Sequence, residues 1–217
     1  MLFKDYTIDN FLKDLSSDKA SPGGGSTAAL VSALSGALNK MVYSLTIDKK
    51  SFEILSYENK AKMKELNDKC LRFIEESTSF MEKDRKDFLE LMDCYKLPKN
   101  SEEEILFRKN KIKEHTIKAM ETPLNLAKES LSFYENIEFA INYGNKNLIS
   151  DAGVSAILLH SAIESAIINV KINLNSLRED KEFIYLEDEC KDIIKKSLEK
   201  KNILLNKVED IIYPNKK

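Results

Sequence analysis

The chain has 217 residues, of which 42% are hydrophobic and 32% charged, and its formal net charge is -2. That length allows one globular unit with a substantial core, residues 1–217 as a single domain, and the near balance of charge gives no footing for a nucleic-acid surface. The start, Met1-Leu2-Phe3-Lys4-Asp5, carries no signal-peptide or membrane stretch, and the widely spaced Cys70, Cys94 and Cys190 favour neither a disulfide framework nor a metal cluster; a reducing cytoplasm is expected.

Hydrophobic periodicity is helical almost throughout. Thr7 caps a short first helix with Ile8, Phe11, Leu12 and Leu15 on one face. Pro22 and Gly23-Gly24-Gly25 close the connection that follows, and a second helix is predicted from Ser26, as its cap, to Leu45. It is apolar around nearly all of its circumference, so it belongs in the middle of a bundle or at a subunit interface. A long charged helix runs from about Glu53 to Tyr95, with Leu66, Cys70, Phe73, Phe88 and Leu91 in its apolar stripe. Leu97-Pro98-Lys99-Asn100 ends it, and Ser101 with Glu104 forms a capping box for a helix from Glu102 to Tyr143. Pro123 predicts a kink or interruption there after Glu121. Beyond the turn Gly144-Asn145-Lys146-Asn147, Ser150 or Asp151 caps a second buried helix, Val154 to Leu174, and a last helix is predicted over Glu179 to Leu205. No β-type alternation is sustained. The expected class is an all-α bundle of six or seven helices with long central helices, and two nearly all-apolar helices in so short a chain point to a homodimer.

Three clusters carry candidate chemistry. Half of the six glycines fall in Gly23-Gly24-Gly25, ahead of a helix whose first N–H groups lack intrahelical partners. That junction reads either as a tight turn against a neighbouring helix or as a dock for an anion or polar heterocycle. Asp84 shares a helix side with Phe80, Phe88 and Leu91, where desolvation would raise its pKa and prepare it for proton transfer; Lys83, Arg85 and Lys86 offer ion pairing instead. Asn169 and Asn173, four apart, point the same way, as a structural pair or as ligand-orienting amides. Asn145, Asn147, Ser150 and Asp151 gather polar groups before the second buried helix, with a capping loop as the alternative. His115 reads as a surface residue and His160 as a hydrogen-bonded interior one, and the two form no metal-ligand pattern. HExxH, CxxC, GxSxG, Walker and Rossmann motifs are absent from the sequence.

Taken in order, Pro22-Gly23-Gly24-Gly25-Ser26, Asp84-x-x-x-Phe88, Tyr95-Lys96-Leu97-Pro98-Lys99, Ala119-x-x-x-Pro123-Leu124, the run from Gly144 to Val154 and Asn169-Val170-x-Ile172-Asn173 resemble the formimidoyltetrahydrofolate cyclodeaminase / methenyltetrahydrofolate cyclohydrolase family. The match in order and spacing covers roughly residues 5–175. The resemblance implies an all-helical homodimer acting on a one-carbon-loaded tetrahydrofolate derivative, with no cofactor beyond that substrate, no metal, and neither nucleic acid nor membrane as partner. Cyclohydrolase, interconverting 5,10-methenyltetrahydrofolate and 10-formyltetrahydrofolate, is placed slightly ahead of cyclodeaminase, which closes the formimino group and expels ammonia. A non-catalytic folate-binding or helical interaction protein is the remaining alternative. Joined to the chemistry, the motifs make Asp84 the first and Asp151 the second candidate acid/base. Asn145, Asn147, Asn169 and Asn173 would orient the pterin or the one-carbon bridge. Gly23, Gly24, Gly25 and Ser26 would bind the carboxylate tail, with positive charge from Lys96 or Lys99. Glu164 departs from the small residues usual at its position in the family.

Overall fold

The periodicities become seven α-helices in a computed structural model that describes residues 1–178 and 180–214. They are α1 (Ile8–Leu15), α2 (Gly24–Ser44), α3 (Lys50–Glu53), α4 (Tyr57–Cys94), α5 (Glu102–Tyr143), α6 (Ile149–Ser176) and α7 (Tyr185–Ile212). Thr7 caps α1 through a hydrogen bond from the Asn10 N–H, and Ser101 caps α5 by accepting from the Glu104 N–H at 3.2 Å. Glu104 reaches back one residue further than a capping box requires, to the Asn100 N–H at 2.7 Å.

Local chemistry explains where the elements depart from the sequence pattern. The charged helix predicted from Glu53 divides at Leu55-Ser56, because the Ser56 hydroxyl caps a new helix by accepting from the Asn59 N–H. Helix α2 starts at Gly24 rather than Ser26; Gly23 is its N-cap and the Ser26 hydroxyl is engaged elsewhere. Neither Ser150 nor Asp151 caps α6, which begins at Ile149 directly after a 3-10 turn capped by Asn145. The predicted start of the last helix, Glu179, lies outside the described residues; the helix itself runs later, from Tyr185 to Ile212. Helix α5 passes through Pro123 without interruption.

In the bundle, α2 lies between α4 and α6, α5 backs α4 and α6, and α7 covers α6 and α5. Alanines permit the close approach: Ala28, Ala29 and Ala33 of α2 and Ala152, Ala156, Ala162 and Ala166 of α6 are all buried. The pair runs antiparallel, since Gly24 faces Asn169, the Ser35 hydroxyl donates to the Ser155 carbonyl at 2.8 Å, and the Asn145 N–H reaches the Thr46 hydroxyl at 2.8 Å. Buried hydroxyls stitch the centre: Ser32 lies 3.1 Å from Ser77 of α4 and 3.0 Å from Ser130 of α5. Near them Phe73 and Phe133 stack with ring centroids 3.9 Å apart. Asn39 donates to Asn136 at 2.9 Å, and the Tyr43 hydroxyl donates to the Asn136 carbonyl at 2.6 Å, while the Asn39 amide oxygen is buried without a partner.

Both histidines pack between helices. His160 Nδ1 lies 2.8 Å from the Ser197 hydroxyl of α7, as expected of an interior histidine. His115 is not on the surface; it sits 3.5 Å from Glu90 with 15% of its side chain exposed. The stretch Lys146–Ser176 is long and apolar enough by composition to cross a membrane, yet 56% of its most apolar window is buried inside the bundle.

Candidate functional site

The start of α2 is wedged between α4 and α6, and three of the sequence clusters meet there. Gly25 has no room for a side chain: a methyl group added to it would overlap the Asp84 carboxylate. Across from it, a methyl on Gly24 would touch the Asn169 amide at 3.4 Å. Ser26 turns its hydroxyl onto Asp84 Oδ2 at 2.8 Å, and its backbone N–H bonds the same carboxylate. The helix start thus holds an acceptor group, as its free N–H groups dictate, and that group is the chain's own Asp84 carboxyl. The carboxylate tail predicted for Gly23, Gly24, Gly25 and Ser26 finds this end already taken. Gly23 is open, with nothing within 4 Å of an added methyl.

Asp84 is held above the usual carboxylate range. Burial is the main cause; the two Ser26 hydrogen bonds oppose it, and the neighbouring charge of Asp87 adds to it. Asp87 is itself buried and accepts a hydrogen bond from Thr122 at 2.5 Å. The expected ion pairing of Asp84 with Lys83, Arg85 or Lys86 does not form; Arg85 turns to Glu82 and Lys86 to Glu90.

Asp84, Asn169 and Asn173 line one cleft of about 260 Å³, walled by Phe88, Leu91, Met92 and Ile172. Its asparagines are locked by backbone carbonyls: Asn169 Nδ2 donates to Ser165 at 2.8 Å, and Asn173 Nδ2 donates to Asn169 at 3.0 Å and to Ala119 at 3.1 Å. Both N–H groups of Asn173 are spent on the scaffold, Asn169 keeps one, and both amide oxygens are left as acceptors. The Ala119 carbonyl is available because Pro123, four residues on, has no N–H to return. The structural reading of the asparagine pair holds, and the amides so fixed border a cavity.

A second cavity of about 460 Å³ adjoins the first through Tyr95, Thr116 and Ser176, and it adds Lys109 and Lys113. Lys113 pairs with Asp180 on its rim. Nothing in the sequence marked these two lysines, which sit among other charges on an amphipathic helix. Lys96 is exposed and paired with Asp93 at 2.7 Å, and Lys99 is exposed; neither lines the cleft, although Tyr95 beside them does.

Asp151, Asn145 and Asn147 are not brought to this cleft within the chain. They lie at the opposite end of α6, with about 27 Å of helix separating Asp151 from Asn169 at 1.5 Å per residue. There Asn145 accepts from the Asn147 N–H at 3.1 Å and its own N–H binds Thr46, a capping arrangement.

Comparison with known proteins bears on this geometry. The family model described as formiminotransferase-cyclodeaminase matches residues 7–192. A methenyltetrahydrofolate cyclohydrolase of Methylorubrum extorquens is 35% identical over 79% of this chain and 80% of its own. The formimidoyltransferase-cyclodeaminase of Mus musculus is 31% identical over 81% of this chain, which spans about a third of the mouse protein (32%). A crystal structure of formiminotetrahydrofolate cyclodeaminase from Thermotoga maritima shares the fold at 21% identity, with a TM-score of 0.78 over 97% of this chain and 98% of that one.

Proposed function

We propose that this chain, which belongs to the formiminotransferase-cyclodeaminase family of enzymes acting on tetrahydrofolate derivatives, closes a formimino group on tetrahydrofolate and releases ammonia. Cyclodeaminase is preferred to the hydrolytic reading because the matched family and most of the similar relatives carry that name. The observation that carries the chemistry is Asp84, a carboxyl whose pKa burial raises, beside two fixed amides in an apolar-walled cleft.

The reaction needs the second folate nitrogen to attack the formimino carbon. The resulting tetrahedral carbon carries three nitrogens, and the exocyclic one leaves only once protonated. In this reading Asp84 takes the proton released by the attacking nitrogen and gives it to the departing amine. Asn169 and Asn173 accept hydrogen bonds from pterin N–H groups through their amide oxygens. Phe88, Leu91, Met92 and Ile172 cover the ring system and keep water from the methenyl product. The carboxylate tail is assigned to Lys109 and Lys113, since Asp84 already occupies the start of α2. The proposal requires no cofactor beyond the folate substrate, treats the chain as one domain, and places it in the cytoplasm as a homodimer. Apolar side chains left exposed on α2 and α6 support the last point.

A second reading, cyclohydrolase, is favoured by the Methylorubrum relative, whose similarity extends over four-fifths of both chains. One assay separates them. Purified protein given formimidoyltetrahydrofolate should raise the methenyl absorbance and release ammonia; given methenyltetrahydrofolate, it should leave the rate of decay unchanged. Acceleration of that decay with no ammonia from the first substrate would move the assignment to cyclohydrolase, and inactivity on both would leave a folate-binding protein.

A further inference from the structure

Asp87 is a buried carboxyl to which the cyclisation chemistry gives no task. It is 6% exposed, stands outside the lining of the cleft, and accepts from the Thr122 hydroxyl of α5 at 2.5 Å. Burying a charge is costly, and an apolar side chain between α4 and α5 would avoid that cost. The surroundings nevertheless hold the carboxyl in place. Thr27, Thr46 and Thr116 each turn their hydroxyl onto the carbonyl four residues back, whereas Thr122 sends its own across the helix contact to Asp87. The same turn of α5 gives the Ala119 carbonyl to Asn173. One turn of α5 thus anchors α4 at Asp87 and α6 at Asn173, the two helices that carry the site.

What Asp87 has within reach is Asp84. The two stand three residues apart, about 4.5 Å along α4 and at neighbouring positions on its surface. Few other charges bear on them. The start of α2 and the cleft side of α6 bring Asp84 only glycine, Ser26, Asn169 and Asn173, none of them charged. On α4, Arg85 pairs with Glu82, Lys86 pairs with Glu90, and Lys83 is exposed. The N-terminal turn meets α4 through Phe3, against Glu82 and Arg85. On α5, His115 faces Glu90, and the exposed Lys118, whose field reaches Asp87, is bonded to Glu114 at 2.9 Å. The charge that bears on Asp84 is therefore a like one, set beside it in a site half closed to water.

We propose that Asp87 is a positioning residue for the reaction: Thr122 pins its carboxyl one helical turn from Asp84, and this second carboxyl makes Asp84 a stronger base towards the attacking nitrogen. The like charge disfavours the ionised form of Asp84, so Asp84 takes up the proton released by that nitrogen more readily. The catalytic role rests on the cyclodeaminase reading; the coupling of the two carboxyls does not.

Asp87→Asn tests it, because the amide oxygen can still accept from Thr122 while the charge is gone. Initial rates with formimidoyltetrahydrofolate are measured across pH. Asp84 starts the reaction ionised, so the rate rises with pH through its titration. Without Asp87 that rise should come lower on the pH scale by about 1, and the plateau should drop because the base is weaker. The two effects cross: the variant is expected to be about 3-fold slower than wild type on the plateau and about 3-fold faster on the acid side. Lost packing alone would slow the enzyme at every pH and leave the rise where it is; that result, or a profile identical to wild type, overturns the proposal. Should Asp87→Asn fail to fold, Asp87→Ala combined with Thr122→Val removes acceptor and donor together and is read in the same way. A second measurement needs no substrate. Carbon-13 NMR of the aspartate carboxyls follows the titration of Asp84, whose signal is the one missing from Asp84→Asn. Its midpoint should fall in Asp87→Asn, and an unmoved midpoint overturns the coupling. A fallen midpoint in a protein inactive on formimidoyltetrahydrofolate keeps the coupling and removes the cyclodeaminase reading instead.

Discussion

The Asn173 side chain donates to the carbonyl of Ala119, 3.1 Å away on α5. That carbonyl is free because of Pro123, so a helix-interior proline and a cleft asparagine form one device: the lost intrahelical bond becomes an interhelical one that fixes a site residue. Replacing Pro123 by Ala restores the N–H and lets α5 satisfy itself. Asn173→Ala in the native background is expected to cost about 1 kcal/mol, the usual net value of one hydrogen bond, and less in the Pro123→Ala background. Urea unfolding of the four proteins measures this coupling; equal costs in both backgrounds would show that the proline plays no part. Pro123→Ala alone should lose activity while keeping or gaining stability.

The three glycines should respond to alanine in a graded way. Gly23→Ala meets open space and should be nearly silent, while Gly24→Ala meets Asn169 at van der Waals distance and should lower activity modestly. Gly25→Ala drives a methyl into the Asp84 carboxylate and is expected to cost about 1–3 kcal/mol, as overpacking does, along with most of the turnover. Thermal melts and initial rates on the three variants check the order; a silent Gly25→Ala would contradict the fit.

Asp84→Asn removes the proton carrier and should lower turnover at least about 100-fold. Its effect on stability has the opposite sign. The folded chain holds the Asp84 proton more tightly than the unfolded one, whose carboxyl titrates near 3.8, so Asp84 detracts from stability increasingly as pH rises through the raised folded value. The Asn variant should therefore melt at or above wild type at neutral pH and lose that advantage on acidification below about pH 4. Melting curves across pH test it; a lower melting temperature at neutral pH would oppose it.

His160 supplies the acid side of the stability profile. Burial lowers its pKa below 6.5, with Glu164 pulling it up and Lys201 adding to the lowering, and Ser197, bonded to Tyr134, faces its Nδ1. The unfolded chain binds this proton first, so stability should fall as pH drops below 6.5 towards the folded pKa and level off beneath it. His160→Gln should flatten that part of the curve in a urea series run at successive pH values.

Much of this arrangement was legible in the sequence, because helical spacing alone puts Asp84 beside Phe88 and Leu91 and aligns Asn169 with Asn173. The capping signals of α1 and α5 were equally plain, being local. Contacts between distant segments were not. Ser26 reads as a cap until α4 brings Asp84 within reach, and the Asn173–Ala119 bond joins residues 54 apart. Lys109 and Lys113 resemble every other lysine on a solvated face until the cavity beside Tyr95 is seen. Asp151 and its loop were grouped with the cleft on motif alone, and the length of α6 separates them within the chain.

The serines at the centre of the bundle bear on how accurately the site can form. Alanine-rich faces offer little to distinguish one axial setting from another, and α2 could slide by a turn, about 5.4 Å, with most of its apolar area still covered. Such a slip would strand the hydroxyls of Ser32 and Ser35 without their mates on three other helices. These side chains therefore act as detents, and the setting they hold is the one in which a glycine, and no larger residue, arrives opposite Asp84.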